Sequence, residues 1–400
     1  MRVLHVIPSI SPLRGGPSQA IIEIVRGLNQ LGDHLGIAAE IATTNDNGPE
    51  LLDLPLGQKF LYRQVPVWMF ARYSPKITPI REFAFSANFT RWLWHHLEDY
   101  DLVHVHGIFS YVSTITMAIA RRRRVPYVVR PLGQLCSWSM VQSRLKKQIY
   151  LGLIERANLN QATAIHYTAI AEQQEAALLG LKPPSFVLPH GLTMSEPIAD
   201  ARTRLRQELN LPLERQIILF LSRLHPKKGL DLLIPAIAKH SDQDFCLVIA
   251  GSGTPEYVSE LEELIAKEGL ANRTKLVGFV AGMQKQIYLQ GADLFALTSY
   301  SENFGIALLE ALAAGTPTLV TPGVALAEVV KQHDLGYVAE DMSVEAVAQQ
   351  LARFFAQPDP TMGIRAKQLV AQQYSWPQII HRLAGLYQNY VAQRSPLAVD

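Results

Sequence analysis

Short apolar segments alternate with longer amphipathic segments along most of the chain, and this pattern restricts the fold more than any other feature. Up to residue 188 the strand-like segments are 2–7, 102–105, 125–129, 164–167 and 186–188. After residue 215 they are 217–221, 245–250, 275–277, 294–297 and 318–320. Segments with helical spacing of apolar residues lie between them, notably 17–31, 143–159, 169–179, 230–238, 255–268, 284–290 and 305–314. We therefore predict parallel strands covered by helices on both faces.

A proline-rich break separates the two runs of strands and helices. Pro183, Pro184, Pro189 and Gly191 introduce a polar stretch that extends to Arg215. A chain of 400 residues is long enough for two or three domains. We predict an α/β protein with two doubly wound domains of nearly equal size, over 1–192 and 193–374.

Composition excludes several classes of protein. Hydrophobic residues make up 48% of the chain, which is enough to build sizeable cores and rules out disorder as the main state. The net charge of +2 argues against nucleic acid as a partner, so any polyanion site must be local. Two cysteines, Cys136 and Cys246, exclude a disulfide scaffold and a cysteine-based zinc site.

The sequence shows neither a secretory signal nor a membrane-spanning segment. The apolar run at the N-terminus stops at Pro8, and no uncharged stretch reaches the 18 or so apolar residues of a spanning helix. We expect a soluble cytoplasmic protein, monomeric or weakly dimeric.

One segment is strongly basic. Residues 102–154 contain no Asp or Glu. Their basic residues are Arg121, Arg122, Arg123, Arg124, Arg130, Arg144, Lys146 and Lys147. One interpretation is a solvated face. The other is contact of segment 121–147 with an anionic membrane surface or a phosphate-bearing acceptor, because clustered Lys and Arg are attracted to anionic lipid.

Ligands of doubly wound sheets bind at the carboxyl ends of strands, so the residues that follow the strands are the candidates for function. Gly15 and Gly16 precede a helix, where backbone N–H groups and the helix dipole favour an anion. The dinucleotide fingerprint G-x-G-x-x-G is absent there, which argues against an NAD enzyme.

His104 and His106 share one face of a later strand-like segment, 102–105 and the residue after it. His104 suits a packed core position, and His106 can reach a ligand. No third ligand is evident near the pair, so we predict no metal site.

Two later loops carry more chemistry. Ser222-Arg-Leu-His-Pro-Lys-Lys-Gly229 follows a strand and opens a helix, so Arg223 and Lys228 flank a helix N-terminus and suit a phosphate or pyrophosphate group. Glu302 and Glu310 stand eight residues apart, too far for a glycosidase pair. We expect separate roles for them, since a buried carboxylate can accept hydrogen bonds from sugar or ribose hydroxyls. The simpler alternatives are a basic surface turn and two structural glutamates.

The ordered combination of these motifs resembles the retaining glycosyltransferases of family 4, which have the GT-B architecture. The resemblance rests on the following motifs: Glu-x7-Glu at 302–310 followed by Ala-Leu-Ala-Ala-Gly-Thr-Pro, the Arg/Lys segment 222–229, the Gly-Gly loop, His106, Pro189-His-Gly191 and Gly251-Ser-Gly253. The family commonly has Asn where this chain has His190. Segment 130–138 resembles members that make surface or exopolysaccharides.

The resemblance implies a fold and a reaction. Two Rossmann-like domains would face each other across a cleft, the first binding the acceptor and completed by a C-terminal helix over 375–400, the second binding the donor. The enzyme would transfer a hexose from a UDP- or GDP-sugar to a saccharide or lipid-linked saccharide, without a metal or other cofactor. It would be cytoplasmic and peripheral at the inner face of the membrane.

The resemblance also implies roles for individual residues. The catalytic set is His106, Arg223, Lys228 and Glu302. The donor-binding set adds Gly15, Gly16, Gly251, Val277, Gly278, Asn303, Phe304, Gly305 and Glu310, with Val277 and Gly278 framing the base and Glu310 holding the ribose. Acceptor-binding candidates are Arg130, Gln134 and Trp138. The alternatives are a nucleotide-sugar epimerase or a sugar phosphorylase of the same plan, or a catalytically silent sugar-binding protein.

Overall fold

The computed structural model describes residues 1–141, 144–357, 359 and 361–392. The strands of these residues are β1 (Arg2–Ser9), β2 (Ala38–Thr44), β3 (Asp46–Asn47), β4 (Glu50–Leu51), β5 (Lys59–Tyr62), β6 (Val65–Phe70), β7 (Leu102–His106), β8 (Tyr127–Arg130), β9 (Ala164–Tyr167), β10 (Ser185–Val187), β11 (Gln216–Leu221), β12 (Phe245–Ala250), β13 (Thr274–Gly278), β14 (Leu294–Leu297), β15 (Thr318–Val320) and β16 (Gly336–Val338).

The helices are α1 (Gly16–Gln30), α2 (Gly32–Leu35), α3 (Thr78–Glu82), α4 (Ala87–His96), α5 (Tyr111–Arg123), α6 (Ser137–Val141), α7 (Arg144–Tyr150), α8 (Arg156–Asn160), α9 (Ile170–Ala177), α10 (Ala201–Glu208), α11 (Leu230–Ala238), α12 (Pro255–Lys267), α13 (Gly282–Gly291), α14 (Ile306–Ala314), α15 (Ala327–Gln332), α16 (Val344–Ala356), α17 (Thr361–Gln373) and α18 (Trp376–Ala392). A π-helical turn, Leu151–Glu155, joins α7 to α8, and a short 3-10 turn, Pro226–Lys228, precedes α11.

The chain divides into two compact units. The second unit is Leu192–Ser375, and the first comprises the chain before it together with α18. The part of the predicted C-terminal helix (375–400) that follows Ala392 lies outside the described residues. Ser143, the first residue of the predicted helix over 143–159, also lies outside them.

Each unit is built on one large sheet. The first sheet has the order β10-β9-β8-β7-β1-β2-β6-β5, parallel except for the antiparallel edge strand β5. The second has the order β13-β12-β11-β14-β15-β16 and is entirely parallel. The predicted α/β class with two doubly wound sheets is confirmed. The strand order reverses between β1 and β7 in the first sheet and between β11 and β14 in the second, and ligands of such sheets bind at these switch points.

Burial explains why these segments form strands. Every residue of β12 and of β7 is buried, as expected for parallel strands with helices on both faces. The helix α18 completes the first unit, because Ile379, Ile380, Leu383 and Tyr387 belong to the core that also holds α1 and one face of the first sheet. No helix among the described residues combines the length and apolar character that crossing a membrane requires.

The basic residues of segment 121–147 do not all lie on the surface. Arg130 is 1% exposed, so it belongs to the interior of the first unit and not to a basic surface. The Lys147 ammonium donates to the Ser139 carbonyl at 2.6 Å, and Arg123 stacks on Trp94. The interpretation of segment 121–147 as one continuous basic face is therefore wrong for Arg130.

Candidate active site

The loops after β11, β12 and β14 are held together at the switch point of the second sheet. At Gly251 (φ 155°) a Cβ would lie 1.8 Å from the Ser222 carbonyl oxygen, and at Gly229 (φ 69°) a Cβ would lie 1.9 Å from the Thr298 carbonyl oxygen. Only glycine permits these contacts. The Tyr300 N–H donates to the Lys227 carbonyl at 2.9 Å, so the segment that carries Lys228 is joined to the one that carries Glu302.

Lys228 and Glu302 form an ion pair at this switch point. The Lys228 ammonium contacts Glu302 Oε2, with side-chain exposures of 12% and 22%. The backbone of Glu302 is fixed on both sides, because its N–H donates to Gly323 at 2.8 Å and its carbonyl accepts from Ala325 at 3.0 Å. The structure thus brings together two of the residues that the sequence singled out, although they lie 74 positions apart.

The N-terminus of α14 lies beside Glu302. Gly305 is the residue before the first turn of α14, and no side chain caps that turn. Phe304 is buried and packs against Tyr374, with ring centroids 6.4 Å apart. A helix N-terminus carries unpaired N–H groups and partial positive charge, so this end of α14 can accept an anionic or hydroxyl-rich ligand.

Positive charge is concentrated in the loop after β11. Burial and the neighbouring charges of Arg223, Lys227 and Lys228 lower the pKa of His225. Arg223 is exposed, and the described residues offer it no carboxylate within ion-pair distance. An exposed cation without a carboxylate partner among the described residues suits a phosphate group as ligand.

Glu310 lies in α14 and has a partner that the sequence did not suggest. The Lys285 ammonium, from α13, contacts Glu310 Oε1 at 2.6 Å. A carboxylate has two oxygens, so Oε2 of Glu310 can still accept hydrogen bonds from hydroxyl groups. Glu302 and Glu310 each pair with a different lysine, and their separate roles stay a prediction.

Gly278 ends β13 close to Gly251. The Gly251 N–H donates to the Gly278 carbonyl at 2.7 Å, and a Cβ on Gly278 would meet no atom within 4 Å. Val277, the residue before it, is half-buried. The edge of the sheet is therefore open at this point and leaves room for a flat group.

In the first unit, the Gly-Gly loop is fixed by an ion-pair network centred on the buried Asp46. Arg14 contacts Asp46 at 2.7 Å and Glu82 at 2.8 Å, and the hydrogen bond to Asp46 raises its pKa. Arg72, whose side chain is fully buried, also pairs with Asp46. Gly15 then directly precedes α1, whose N-terminus has no side-chain cap. Sequence reasoning missed Asp46 and Arg72, because their partners lie far away in the chain.

His106 lies at the switch point of the first sheet, within a group of buried side chains that we call the histidine layer. Its members are His5, His104, His106, His166 and His190. The first four alternate along their strands with apolar residues, and the face they occupy is the one covered by α1 and α18. Burial is the main cause that lowers the pKa of all five, to about 3 for His5, so the rings are neutral at pH 7.

Arg130 completes this layer. Its guanidinium Nη2 lies 3.2 and 3.3 Å from the two ring nitrogens of His190. Burial lowers the Arg130 pKa to about 10, so it stays charged at pH 7. Its Nε atom is buried and makes no hydrogen bond within the part of the chain that the structure describes. A buried cation with unused donor capacity suits an anionic ligand group.

Gln134 joins the loops that follow β7 and β8. Its Oε1 accepts from the Ile108 N–H at 2.5 Å. Phe109 and Leu132, one in each loop, both have φ 58°, a conformation that large side chains rarely adopt. Such strain concentrates at functional sites. Trp138 lies farther along, at the start of α6, and is 38% exposed.

His5, His104 and His106 present ring nitrogens within 4.8 Å of one another, a spacing that could hold a metal ion. The expectation that no third ligand lies near the His104–His106 pair is therefore wrong, since β1 places His5 beside β7. The charge of Arg130 lowers the pKa of all three rings, and the same repulsion opposes a divalent cation. The surroundings favour neutral, hydrogen-bonded rings.

Comparison with known proteins shows the family. The family model "Glycosyl transferase 4-like domain" matches residues 15–215, and "Glycosyl transferases group 1" matches residues 201–375. The chain is 26% identical to D-inositol 3-phosphate glycosyltransferase of Xylanimonas cellulosilytica, over 95% of this chain and 93% of that protein.

Two further matches agree. The GDP-mannose-dependent alpha-(1-6)-phosphatidylinositol monomannoside mannosyltransferase of Mycobacterium tuberculosis is 31% identical over 52% of this chain and 56% of that protein. The solved structure of Anabaena HepE in complex with UDP superposes with a TM-score of 0.76, at 20% identity, over 97% of this chain and all of that one. The chain therefore belongs to the group 1, family 4-like glycosyltransferases and has their GT-B fold.

Proposed function

We propose that this enzyme transfers a hexose from a UDP- or GDP-sugar to a saccharide or lipid-linked saccharide, with retention of configuration, in polysaccharide or glycolipid biosynthesis. The observation that carries the proposal is the Lys228–Glu302 pair beside the uncapped N-terminus of α14. Two related proteins support the donor class, since HepE was solved with UDP and the mycobacterial relative is a GDP-mannose-dependent mannosyltransferase.

The site residues suggest how the leaving group is stabilised. Negative charge grows on the nucleoside diphosphate as the glycosidic bond breaks, and Arg223 and Lys228 would neutralise it. In this proposal Glu302, with Asn303 and the N–H groups of Phe304 and Gly305, holds the sugar and distal phosphate, while Glu310 holds the ribose. The second unit is thus the donor-binding domain. These cations supply the charge that a metal would otherwise bring, so we propose a metal-independent reaction.

The first unit is the proposed acceptor-binding domain. Gly15 and Gly16 have no side chains, so the backbone of their loop can approach the donor. His106 contacts the reacting sugar. Arg130 ends β8, Gln134 lies in the strained loop that follows it, and Trp138 comes after that loop. Because Arg130 is a buried cation, we propose that the acceptor carries an anionic group.

A donor screen tests this function. Purified protein is incubated with UDP-, GDP- and ADP-sugars, with and without EDTA, and release of nucleoside diphosphate is measured alongside thermal shifts with the free diphosphates. We expect one base to be bound, slow donor hydrolysis, and no loss with EDTA. Failure to bind or consume any donor would contradict the transferase proposal, and an altered sugar released without acceptor would indicate an epimerase.

Glu302→Gln is expected to separate diphosphate binding from transfer. The substitution removes the carboxylate that pairs with Lys228, so the ammonium is free for the diphosphate, and affinity for the free nucleoside diphosphate should stay equal or rise. Transfer should fall about 100-fold, because the sugar loses a charged hydrogen-bond acceptor. Calorimetry and a transfer assay measure the two effects. Parallel losses of both would contradict the role proposed for Glu302.

Association with an anionic membrane is also part of the proposal, and the structure adds an apolar element to it. Leu145, Ile149 and Leu153 follow one another at four-residue intervals on α7 and the turn after it, with exposures of 71%, 51% and 77%. Glu155, the next carboxylate in the chain, is buried. An exposed apolar stripe in a segment without exposed acid suits insertion among anionic lipids.

Ile149→Glu combined with Leu153→Glu should therefore weaken sedimentation with phosphatidylglycerol vesicles at least about tenfold, through lost burial and added repulsion. Leu213→Glu is a matched control, since Leu213 is 53% exposed in the second unit. Unchanged sedimentation of the double variant, or equal binding to phosphatidylcholine vesicles, would rule out this surface.

A further inference from the structure

We propose that His5 is a positioning residue that fixes the tautomer of His106, so that Nδ1–H of His106 is presented as a hydrogen-bond donor. The inference rests on the proposed function, in which His106 contacts the reacting sugar. It adds a residue outside every motif that the sequence singled out, and it assigns a chemical state to His106.

His5 and His106 meet across the switch point between β1 and β7. Nδ1 of His5 lies 3.1 Å from Nε2 of His106, and the two rings are nearly parallel, with centroids 5.3 Å apart. Both side chains are fully buried and neutral. In a contact between two neutral imidazoles, one nitrogen carries the proton and donates to the other.

The surroundings of His5 decide the direction of this hydrogen bond. Its other nitrogen, Nε2, is buried and has no hydrogen-bond partner among the described residues. Unpaired buried N–H groups are rarer in proteins than unpaired acceptors, so the proton of His5 belongs on Nδ1. His5 Nδ1–H then donates to Nε2 of His106, and the proton of neutral His106 must be on Nδ1.

A second chain of hydrogen bonds shows that His104 cannot take over this role. Nε2 of His166 contacts the Leu188 carbonyl at 2.7 Å, and a carbonyl only accepts, so this nitrogen carries the His166 proton. Nδ1 of His166 must then accept from Nε2 of His104, at 3.3 Å. Nδ1 of His104 in turn accepts from the Tyr387 hydroxyl at 2.5 Å.

Both nitrogens of His104 are therefore engaged, by His166 and by Tyr387. The ring of His104 still lies against His106, with centroids 4.2 Å apart, and contributes packing. Of the two histidines that contact the His106 ring from neighbouring positions, only His5 offers it a nitrogen. The tautomer of His106 is thus set by His5.

The test combines a spectroscopic and a kinetic measurement. Long-range ¹H–¹⁵N spectra of protein labelled at its 12 histidines distinguish the two neutral tautomers, and His106→Gln assigns the His106 signals by their loss. We expect the Nδ1–H form of His106 in the wild type and a mixture of forms in His5→Leu. His5→Asn, whose amide can donate from nearly the same place as Nδ1, should restore the wild-type form.

The turnover number should follow the tautomer. His5→Leu should lower kcat about tenfold, the value of one misdirected hydrogen bond, with little change in KM for the donor, and His5→Asn should recover most of it. Tyr387→Phe is the matched control, because it breaks the other chain on the same face; it should lower stability without changing the His106 spectrum.

The two proposals fail in different ways. A wild-type enzyme that uses no nucleotide sugar contradicts the proposed function, whereas the spectra still report the tautomer of His106. Observation of the Nε2–H form of His106, or full kcat in an active His5→Leu enzyme, overturns the role of His5.

Discussion

Replacing Lys228 by alanine is expected to lower the turnover number by at least about 100-fold, the usual effect of removing one group that stabilises charge in a transition state. Lys228 is the more buried of the two cations assigned to the leaving diphosphate, and its ammonium is already fixed by Glu302. Because the growing charge appears on the departing diphosphate, the loss should fall on kcat more than on KM for the donor.

Steady-state transfer kinetics on Lys228→Ala measure this effect, with thermal unfolding to show that the fold persists. Lys239→Ala is the matched control: Lys239 also pairs with a glutamate, Glu345, but both side chains are largely exposed, with fractions of 48% and 74%. Lys239→Ala should retain wild-type turnover. A Lys228→Ala enzyme of undiminished kcat would show that the leaving group is stabilised elsewhere.

Lowering the pH from 7.5 to 5.5 is expected to destabilise the first unit by several kcal/mol. The pKa of each residue in the histidine layer is lowered on folding, so the unfolded chain binds more protons below pH 6.5. The stabilisation is complete above about pH 6.5 and is lost as the pH falls towards the folded-state values. At pH 5.5 each of these histidines costs on the order of 1 kcal/mol, so the five together cost several kcal/mol.

The distribution of tryptophan allows this loss to be measured in the first unit alone. All five tryptophans, Trp68, Trp92, Trp94, Trp138 and Trp376, lie in the first unit. Urea unfolding followed by tryptophan fluorescence should show a midpoint that falls steeply between pH 6.5 and 5.5. The second unit contributes no tryptophan signal to this measurement. Equal urea midpoints at pH 7.5 and 5.5 would contradict the assignment of five neutral histidines.

Elements with strong local signals were predictable from sequence. The strands at 164–167, 245–250, 294–297 and 318–320 and the helix at 230–238 have the predicted bounds. These segments are apolar runs with clear turn residues on both sides. The strands β2 and β6 were missed, because the alanines and Glu40 of β2 and Pro66 of β6 weaken the local signal. Their strand conformation depends on pairing with β1 and with each other.

The candidate site likewise contains residues that could be predicted from sequence and contacts that could not. Lys228, Glu302 and Glu310 follow strands or open helices, so chain position alone pointed to them. The contacts of His5 with His106 and of Lys285 with Glu310 were not predictable, because they depend on which strands and helices become neighbours. His5 and His106 are separated by 101 positions, and only the reversal of strand order beside β1 brings them together.

The position of α18 has a consequence for the order of events during biosynthesis. The helix covers the face of the first sheet that holds the histidine layer, and Tyr387 donates to His104 from it. Yet α18 is translated after the whole of the second unit. On the ribosome, the first unit must therefore remain without this cover while the second unit is synthesised, and the N-terminal domain can complete its folding only when α18 has emerged.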